Sequence, residues 1–408
     1  MPGRTRSQDA GMFPAGAQSL LRSMNARAVL ELIHSDGPIA RSDISAGTGL
    51  SKPTVTLALN TLLAAGVVDE TGYAHGRPGP AAALYRVRPA SGLSVGVDIG
   101  HDRINAAIAD ITGEVRARTQ AKPKRRRDTL VAQVHDLIAQ LAARMDATVA
   151  DLVHVVVGVP AVVHPDGEQL SLCDSLPNDG IGFAPALRES LGLPATLEND
   201  VNLAVLGERS ARADADLREF LFFSIGTGLG VGIVLGGQLY RGVTGAAGEI
   251  GYLPGDDPSV PPTPPHDRAM IKDSLSGQGI VEEATVRGMD ARLSGREVFD
   301  RARAGDERAL EVVDVIARRI AYVICSLTAV VDPALVVLGG GVGLNPDLLL
   351  DPVSRHVRAM SPFAPSIEVS QAGKDAVLLG AVSLASELAR DTVFSAASLA
   401  SPAATAGA

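Results

Sequence analysis

Two glycine-rich turns constrain this chain more than any other feature. The first, Gly226-Thr227-Gly228-Leu-Gly230-Val-Gly232, sits within an apolar stretch that starts at Leu221 and ends at Leu239. The second, Gly245-Ala-Ala-Gly-Glu249-Ile-Gly-Tyr252, follows shortly after. Apolar runs on both sides of the first turn predict two adjacent strands. A lone Gly-rich turn signals no more than a tight hairpin. Its place between Asp200 and Glu249 makes it a candidate wall of a binding site.

The chain has 408 residues, of which 46% are apolar, enough for two or three domains with a large core. Aromatic residues make up only 3% and Trp is absent, so that core rests on Ala, Val, Leu and Ile. A net charge of −9 argues against a general nucleic-acid binder. Residues 1–90 nevertheless carry nine basic and six acidic side chains, against 28 and 40 in the remainder. A mildly basic head on an acidic body fits DNA contact by one module. Cys173 and Cys325 are far apart, without metal-type neighbours, and too few for a disulfide framework. Cys325 reads as a small buried hydrophobe. The apolar run 321–338 is broken by Asp332-Pro333, so no membrane span is expected. With no early signal-like stretch, the expected location is the cytoplasm.

Residues 1–18 read as polar and mobile. Leu21, Val29, Leu30 and Ile33 then recur at helical spacing until Gly37-Pro38. A short helix over 41–47, a turn at Gly49-Leu50 and a third helix from Ser51 to about Ala65 complete a helix-turn-helix. Ser51 caps that helix, and Pro53 is tolerated in its first turn. Val55, Leu59 and Leu62 share the inward face. Pro53, Thr56, Leu57 and Asn60 point outward. Thr54, Thr56 and Asn60 suit base edges or phosphates, and Arg41 and Lys52 suit phosphates. A strand–turn–strand after Gly66 reads as a wing. It closes on Gly76-Arg77-Pro78-Gly79, whose Arg77 suits an A·T-rich minor groove. The implied partner is double-stranded operator DNA.

In the body, residues 93–112 read as a β-hairpin carrying Asp98, Gly100 and His101-Asp102. The basic run from Lys122 to Arg127 reads as a solvated loop. A strand over Val153–Val159 leads to Gly158-Val-Pro160. Glu198-Asn199-Asp200-Val-Asn202 opens a helix, and a carboxylate beside an amide can hold two neighbouring hydroxyls of a pyranose. Leu335-Val-Val-Leu-Gly339-Gly340-Gly341 is a strand running into a Gly-rich turn. A helix near Ala376–Leu388 is followed by an Ala/Ser tail, 391–408, read as disordered.

Taken in order, these patterns resemble the ROK family, which groups repressors, open reading frames and kinases. The resemblance spans about residues 20–390. It implies an α/β chain with an N-terminal winged helix-turn-helix followed by a two-lobed actin-like ATPase domain of the ROK sugar-kinase type. The expected boundaries are 19–88 for the first domain and 92–390 for the second, with lobes at 92–205 and 206–390. It also implies that Asp98 and Gly100 belong to the first phosphate motif, Gly226, Thr227 and Gly228 to the second, and Gly340 to the adenosine motif. Asp200 matches the family's general base, and Asn199 and Glu249 match sugar contacts. Ser175-Leu-Pro177 stands where the family has its Asn-Leu-Pro sugar loop, and Tyr252 stands where it has a zinc-ligand His. Leu253 to Ser276 contains no cysteine, although family kinases carry a cysteine-rich zinc loop there, and Met270 and Lys272 fall near the family's Cys and Glu. His101 and Asp102 replace the small residues that admit ATP phosphates. The expected protein is therefore a repressor of carbohydrate-related genes. It forms a homodimer or homotetramer on a palindromic operator, binds a sugar or sugar phosphate through Ser175, Asn199, Asp200, Glu249 and Tyr252, and needs no structural zinc or other cofactor. Two alternatives stay open: a regulator answering a non-sugar molecule or a protein partner, and an active sugar kinase with a DNA-binding head.

Overall fold

The computed structural model describes residues 15–74, 82–173, 176–212, 217–226, 228–253 and 271–400. They fall into two compact units. One is drawn from residues up to 93, from 110–114 and from 386 onward; the other comprises 94–109 and 115–385.

The first unit opens with α1 (Ala15–Asp36), β1 (Ile39–Ala40), α2 (Arg41–Thr48) and α3 (Lys52–Ala64), then β2 (Val68–Ala74) and β3 (Ala82–Val87). Val29, Leu30 and Ile33 of α1, Ile44 of α2, and Val55, Leu59 and Leu62 of α3 are all buried. The apolar face read from the spacing is thus the core of a three-helix cluster, except that Leu21, placed on the same face, is exposed. The Ser51 hydroxyl accepts the Thr54 amide at 3.4 Å, fixing where α3 begins. The small sheet has the order β1-β3-β2, with both pairings antiparallel.

The second unit begins with β4 (Leu93–Ile99), β5 (Ile104–Asp110), β6 (Val115–Ala121), α4 (Arg127–Ala143), β7 (Leu152–Val159), the short β8 (Val162–Val163) and β9 (Leu170–Ser171), α5 (Phe183–Leu191), β10 (Ala195–Asn199) and α6 (Asp200–Ala211). It continues with β11 (Phe220–Ile225), β12 (Leu229–Leu235), β13 (Gln238–Leu239), α7 (Ile271–Leu275), α8 (Gly277–Val286), α9 (Gly295–Arg303), α10 (Glu307–Val331), β14 (Leu335–Gly339), α11 (Gly340–Gly343), α12 (Pro346–Met360), β15 (Ser366–Val369) and the first part of α13 (Ala376–Ala400), whose residues from 386 belong to the first unit. Two five-stranded sheets organise it, ordered β10-β7-β4-β5-β6 and β13-β12-β11-β14-β15. Numbered within each set, both run third, second, first, fourth, fifth. One topology is therefore used twice, as a two-lobed actin-like frame requires. One face of the second sheet, with Phe223, Val336 and Leu338, packs on Ile316 and Ile320 of α10 and Val353 of α12. Its other face, with Phe220, Phe222 and Val337, packs on Ala204 and Val205 of α6. Truncating such a phenylalanine to alanine costs about 3–5 kcal/mol.

Three details depart from the sequence reading. First, β6 lies between the hairpin and the basic run. Its residues alternate between half-buried and exposed, and the polar outward side hid the strand. Second, α13 continues as helix through Ala400, although disorder was expected from residue 391. Alanine is the strongest helix former, and buried Ala389, Arg390 and Phe394 give this segment an inward face. Asp391 accepts from Arg27 of α1 at 2.6 Å, and Arg390 donates to the Ile111 carbonyl at 3.0 Å. Third, α13 packs on both sheets, where a lobe boundary at 206 would leave it with the second alone: Ala376 lies with Phe220 and Phe222 of the second sheet. Leu378 and Val382 pack on Ala107 and Ala109 of β5, in the first sheet.

The helices α6 and α13 cross at two glycines. A Cβ on Gly207 would lie 1.9 Å from the Ala376 carbonyl oxygen, and one on Gly380 would lie 1.8 Å from that of Leu203. The backbones touch directly, so neither position accepts a side chain. Among the described residues no helix is long and apolar enough to cross a membrane.

Candidate functional site

The start of α3 gathers Ser51, Lys52, Pro53, Thr54, Thr56 and Asn60 on one helix. Lys52, Pro53, Leu57 and Asn60 are exposed. Ser51 and Thr54 are partly engaged with each other, their hydroxyls 2.8 Å apart. The Thr56 hydroxyl donates to the Lys52 carbonyl at 2.9 Å, which leaves its oxygen lone pairs for a donor on a base or for water. Arg41, at the start of α2, donates to the Tyr85 hydroxyl at 2.9 Å and lies 5.9 Å from that ring's centre. Its guanidinium is exposed but oriented by the β3 strand. Arg77 lies outside the described residues.

The second site is built where β10 meets α6. Asn199 caps α6: its Oδ1 accepts the Val201 amide at 2.9 Å and the Asn202 amide at 3.0 Å. Its Nδ2 donates to the Ala161 carbonyl at 3.1 Å. Asn199 was expected to hold ligand hydroxyls, but the structure commits most of its polar capacity to the frame. Beneath it, buried Glu198 accepts from the Asn199 amide and from Asn202 Nδ2, both at 2.9 Å. The other Glu198 oxygen accepts Arg241 Nε at 2.7 Å. Glu198 thereby ties the Asn199–Asp200 corner to the loop that carries Glu249.

That loop is anchored on β12. The Val231 amide donates to the Gly248 carbonyl at 2.9 Å. Gly248 has φ 89°, and a Cβ there would fall 1.8 Å from the Val231 oxygen, so only glycine lets the loop lie this close. Ile250 then plugs into the core, and half-buried Glu249 and Tyr252 flank it.

Three carboxyls crowd this corner. Burial pushes Asp200 up to about 7; the Asp98 and Glu249 charges add to the rise, and the Val201 amide, 2.8 Å away, opposes it. Burial likewise pushes Asp98 up to about 6, with an opposing hydrogen bond from Asn105 at 3.0 Å and an added push from Asp375. Near neutrality Asp200 is therefore poised between proton donor and proton acceptor toward a hydroxyl.

The phosphate-motif residues divide. Gly100 makes a tight turn, its amide donating to the Arg103 carbonyl at 2.9 Å, and the exposed pair His101–Asp102 sits on that turn with Nδ1 and Oδ1 2.9 Å apart. Gly226 donates to the Gly228 carbonyl at 3.0 Å, while Thr227 lies outside the described residues. Gly226 also lines a cavity of about 710 Å³ with Gly277, Arg296, Arg303, Gly341 and Lys374. Gly340 precedes Gly341 at the start of α11, with its backbone against Ile225. Ser175, Met270 and His266 also lie outside the described residues, as does the proline-rich segment after Leu253.

The sequence profile of the ROK family matches residues 94–388, and a winged helix-turn-helix DNA-binding profile matches residues 25–69. The chain belongs to the ROK family. It is 25% identical over 376 residues to the xylose repressor of Bacillus subtilis strain 168, covering 90% of this chain and 96% of that one. It is 30% identical over 302 residues to an N-acetylmannosamine kinase of Escherichia coli strain 55989, covering 72% of this chain and 98% of the kinase. Its fold matches the crystal structure of a ROK family transcriptional regulator, a homologue of the E. coli MLC protein. That match has TM-score 0.79 and 21% identity, and covers 93% of this chain and 99% of that one.

The zinc site implied by the ROK kinases does not fit the donors of this chain. Tetrahedral structural zinc needs several Cys or His ligands. Tyr252 stands in the His position, and the chain has no cysteine between Cys173 and Cys325. Several ROK-domain residues escaped the sequence reading. Glu198 and Arg241 form an ion pair across 43 positions, which no local pattern announces. Arg296, Arg303 and Lys374 reach one cavity from distant elements. Asn105, inside the hairpin read over 93–112, carried no local sign of its hydrogen bond to Asp98.

Proposed function

We propose that this chain is a DNA-binding transcriptional repressor of sugar-related genes. It acts in the cytoplasm as a homodimer or homotetramer on a palindromic operator, and a sugar or sugar-derived effector bound at Asp200 and Glu249 releases it. One observation carries this reading. A winged helix-turn-helix and a carboxyl-lined ROK corner occur in one chain, which matches xylose repressors over nine-tenths of its length. Asp200 serves here as a hydrogen-bonding group for hydroxyls, not as a base for phosphoryl transfer, because His101 and Asp102 crowd and repel nucleotide phosphates. The direct test is fluorescence anisotropy of the chain on DNA from its own upstream region, titrated with a sugar panel. Release by one sugar at micromolar to millimolar concentration supports the reading, and absence of DNA binding refutes it. A second reading, an active sugar kinase with a DNA-binding head, draws on Asp200 and the cavity lined by Gly226 and Gly341. An ATP-coupled assay with the same panel separates them, since turnover above about 1 per second is ordinary for a kinase.

A further inference from the structure

A cavity of about 500 Å³ opens at the start of α4, lined by Arg125, Arg126, Arg127, Asp128, Pro177 and Asn178. It shares no lining residue with the corner formed by Asp98, Asp200 and Glu249. Its volume is that of an ordinary small-molecule site. Among the described residues its lining holds three arginines and one carboxylate.

Among the described residues little accounts for this concentration of charge. Among the described residues Arg125 has no ion-pair partner. Arg126 is 3.5 Å from Asp128, with both side chains largely exposed, and Arg127 makes only a 3.2 Å hydrogen bond to the Ile181 carbonyl. Arg126 and Arg127 stand at the first positions of a 17-residue helix, where the helix dipole disfavours cations. Arg126, the residue before the helix, makes no capping hydrogen bond, and the Asp128 carboxylate accepts the Thr129 amide in the first turn. The residues after position 90 carry more acid than base, so a general demand for positive charge does not explain the run either. Local electrostatics that conflict with the fold mark a position kept for something other than stability.

We propose that this cavity binds a small phosphate monoester, held by Arg125, Arg126 and Arg127. The planar guanidinium fork matches two phosphate oxygens at once, and three forks suit a dianion. Asp128 and the Asn178 amide, which also line it, are acceptors and donors for hydroxyls. They favour a phosphorylated polyol over bare phosphate. Pro177 also ends the Ser175-Leu-Pro177 loop expected beside the effector, but binding here and binding at the Asp200–Glu249 corner can each fail without the other.

Isothermal titration calorimetry on the full chain tests this, at constant ionic strength in a phosphate-free buffer. The probes are inorganic phosphate, glucose 6-phosphate, glucose and sodium sulfate. The expected result is saturable binding of both phosphates, tighter for glucose 6-phosphate. For inorganic phosphate it weakens at least tenfold in Arg125→Gln/Arg126→Gln and is unchanged in Arg292→Gln, an exposed arginine that does not line the cavity. Circular dichroism verifies that the double variant is folded; if it is not, Arg125→Gln alone, whose side chain holds nothing in place, gives the same comparison. Equal binding by wild type and variant overturns the proposal, as does a response to sulfate equal to that for phosphate. Loss of operator affinity in the variant, without any phosphate binding, makes the patch a DNA-backbone contact and also overturns it.

Discussion

Replacing Asp200 by asparagine should stabilise the protein while disabling its response to effector. The carboxyl is raised from an ordinary 3.8 to about 7 by burial and by Asp98 and Glu249. At about 1.4 kcal/mol per tenfold change in protonation, keeping it ionised above pH 7 costs the folded state about 4 kcal/mol. The folded state holds this proton more tightly than the unfolded chain, so the group's contribution to stability falls as pH rises from about 4 to about 7, then stays level. Asparagine keeps the shape and can still accept the Val201 amide, but it removes the charge. The full cost is not recovered, because the new amide nitrogen needs a partner. An upper bound is about 4 kcal/mol, or about 8 °C in melting temperature at about 2 °C per kcal/mol for a unit this size. Differential scanning fluorimetry at pH 5 and pH 8 should give a larger gain for Asp200→Asn at pH 8. In the same variant, effector-induced release from DNA should weaken, with effector-free operator affinity nearly unchanged. An equal gain at both pH values would refute the picture of a strained, charge-crowded corner. A normal effector response would remove Asp200 from the site.

Thr56→Ala with Asn60→Ala should weaken operator binding by about 1–3 kcal/mol per lost base contact without unfolding the chain. Unchanged affinity in a gel-shift assay would show that α3 is not the reader. Arg77→Ala should cost most at operators with A·T-rich flanks, and an equal loss at G·C-rich flanks would reduce Arg77 to a phosphate contact. Elemental analysis of purified protein should find no stoichiometric zinc, since the donors needed for a tetrahedral site are missing from the sequence.

The sequence was most legible where one residue type has one physical use. Ser51 before a helical repeat read as a cap, and Val55, Leu59 and Leu62 read as facing inward. The Gly226 turn and the Asn199–Asp200 corner were found because glycine and paired polar groups stand out from apolar strands. The reading stopped where position depends on partners distant in the chain. Asn199 looks like a ligand contact until Ala161 and the α6 amides are seen to occupy it. Asp391 looks like the start of a disordered tail until Arg27 is found beside it. The basic run at 125–127 looked like solvated loop, because nothing local says that Pro177 and Asn178 line a cavity with it.

The crossing of α6 and α13 has a consequence for sequence variation. Gly207 and Gly380 each meet a carbonyl oxygen of the other helix, not a side chain. A larger residue at one position therefore cannot be accommodated by a smaller residue at the other, and no compensating pair of substitutions exists. The two glycines behave as one inherited character, although 172 positions separate them. A diverged chain that has lost either one must have moved these helices apart. The state of two codons would then report whether a distant relative keeps this helix packing, even where the binding-site residues have all changed.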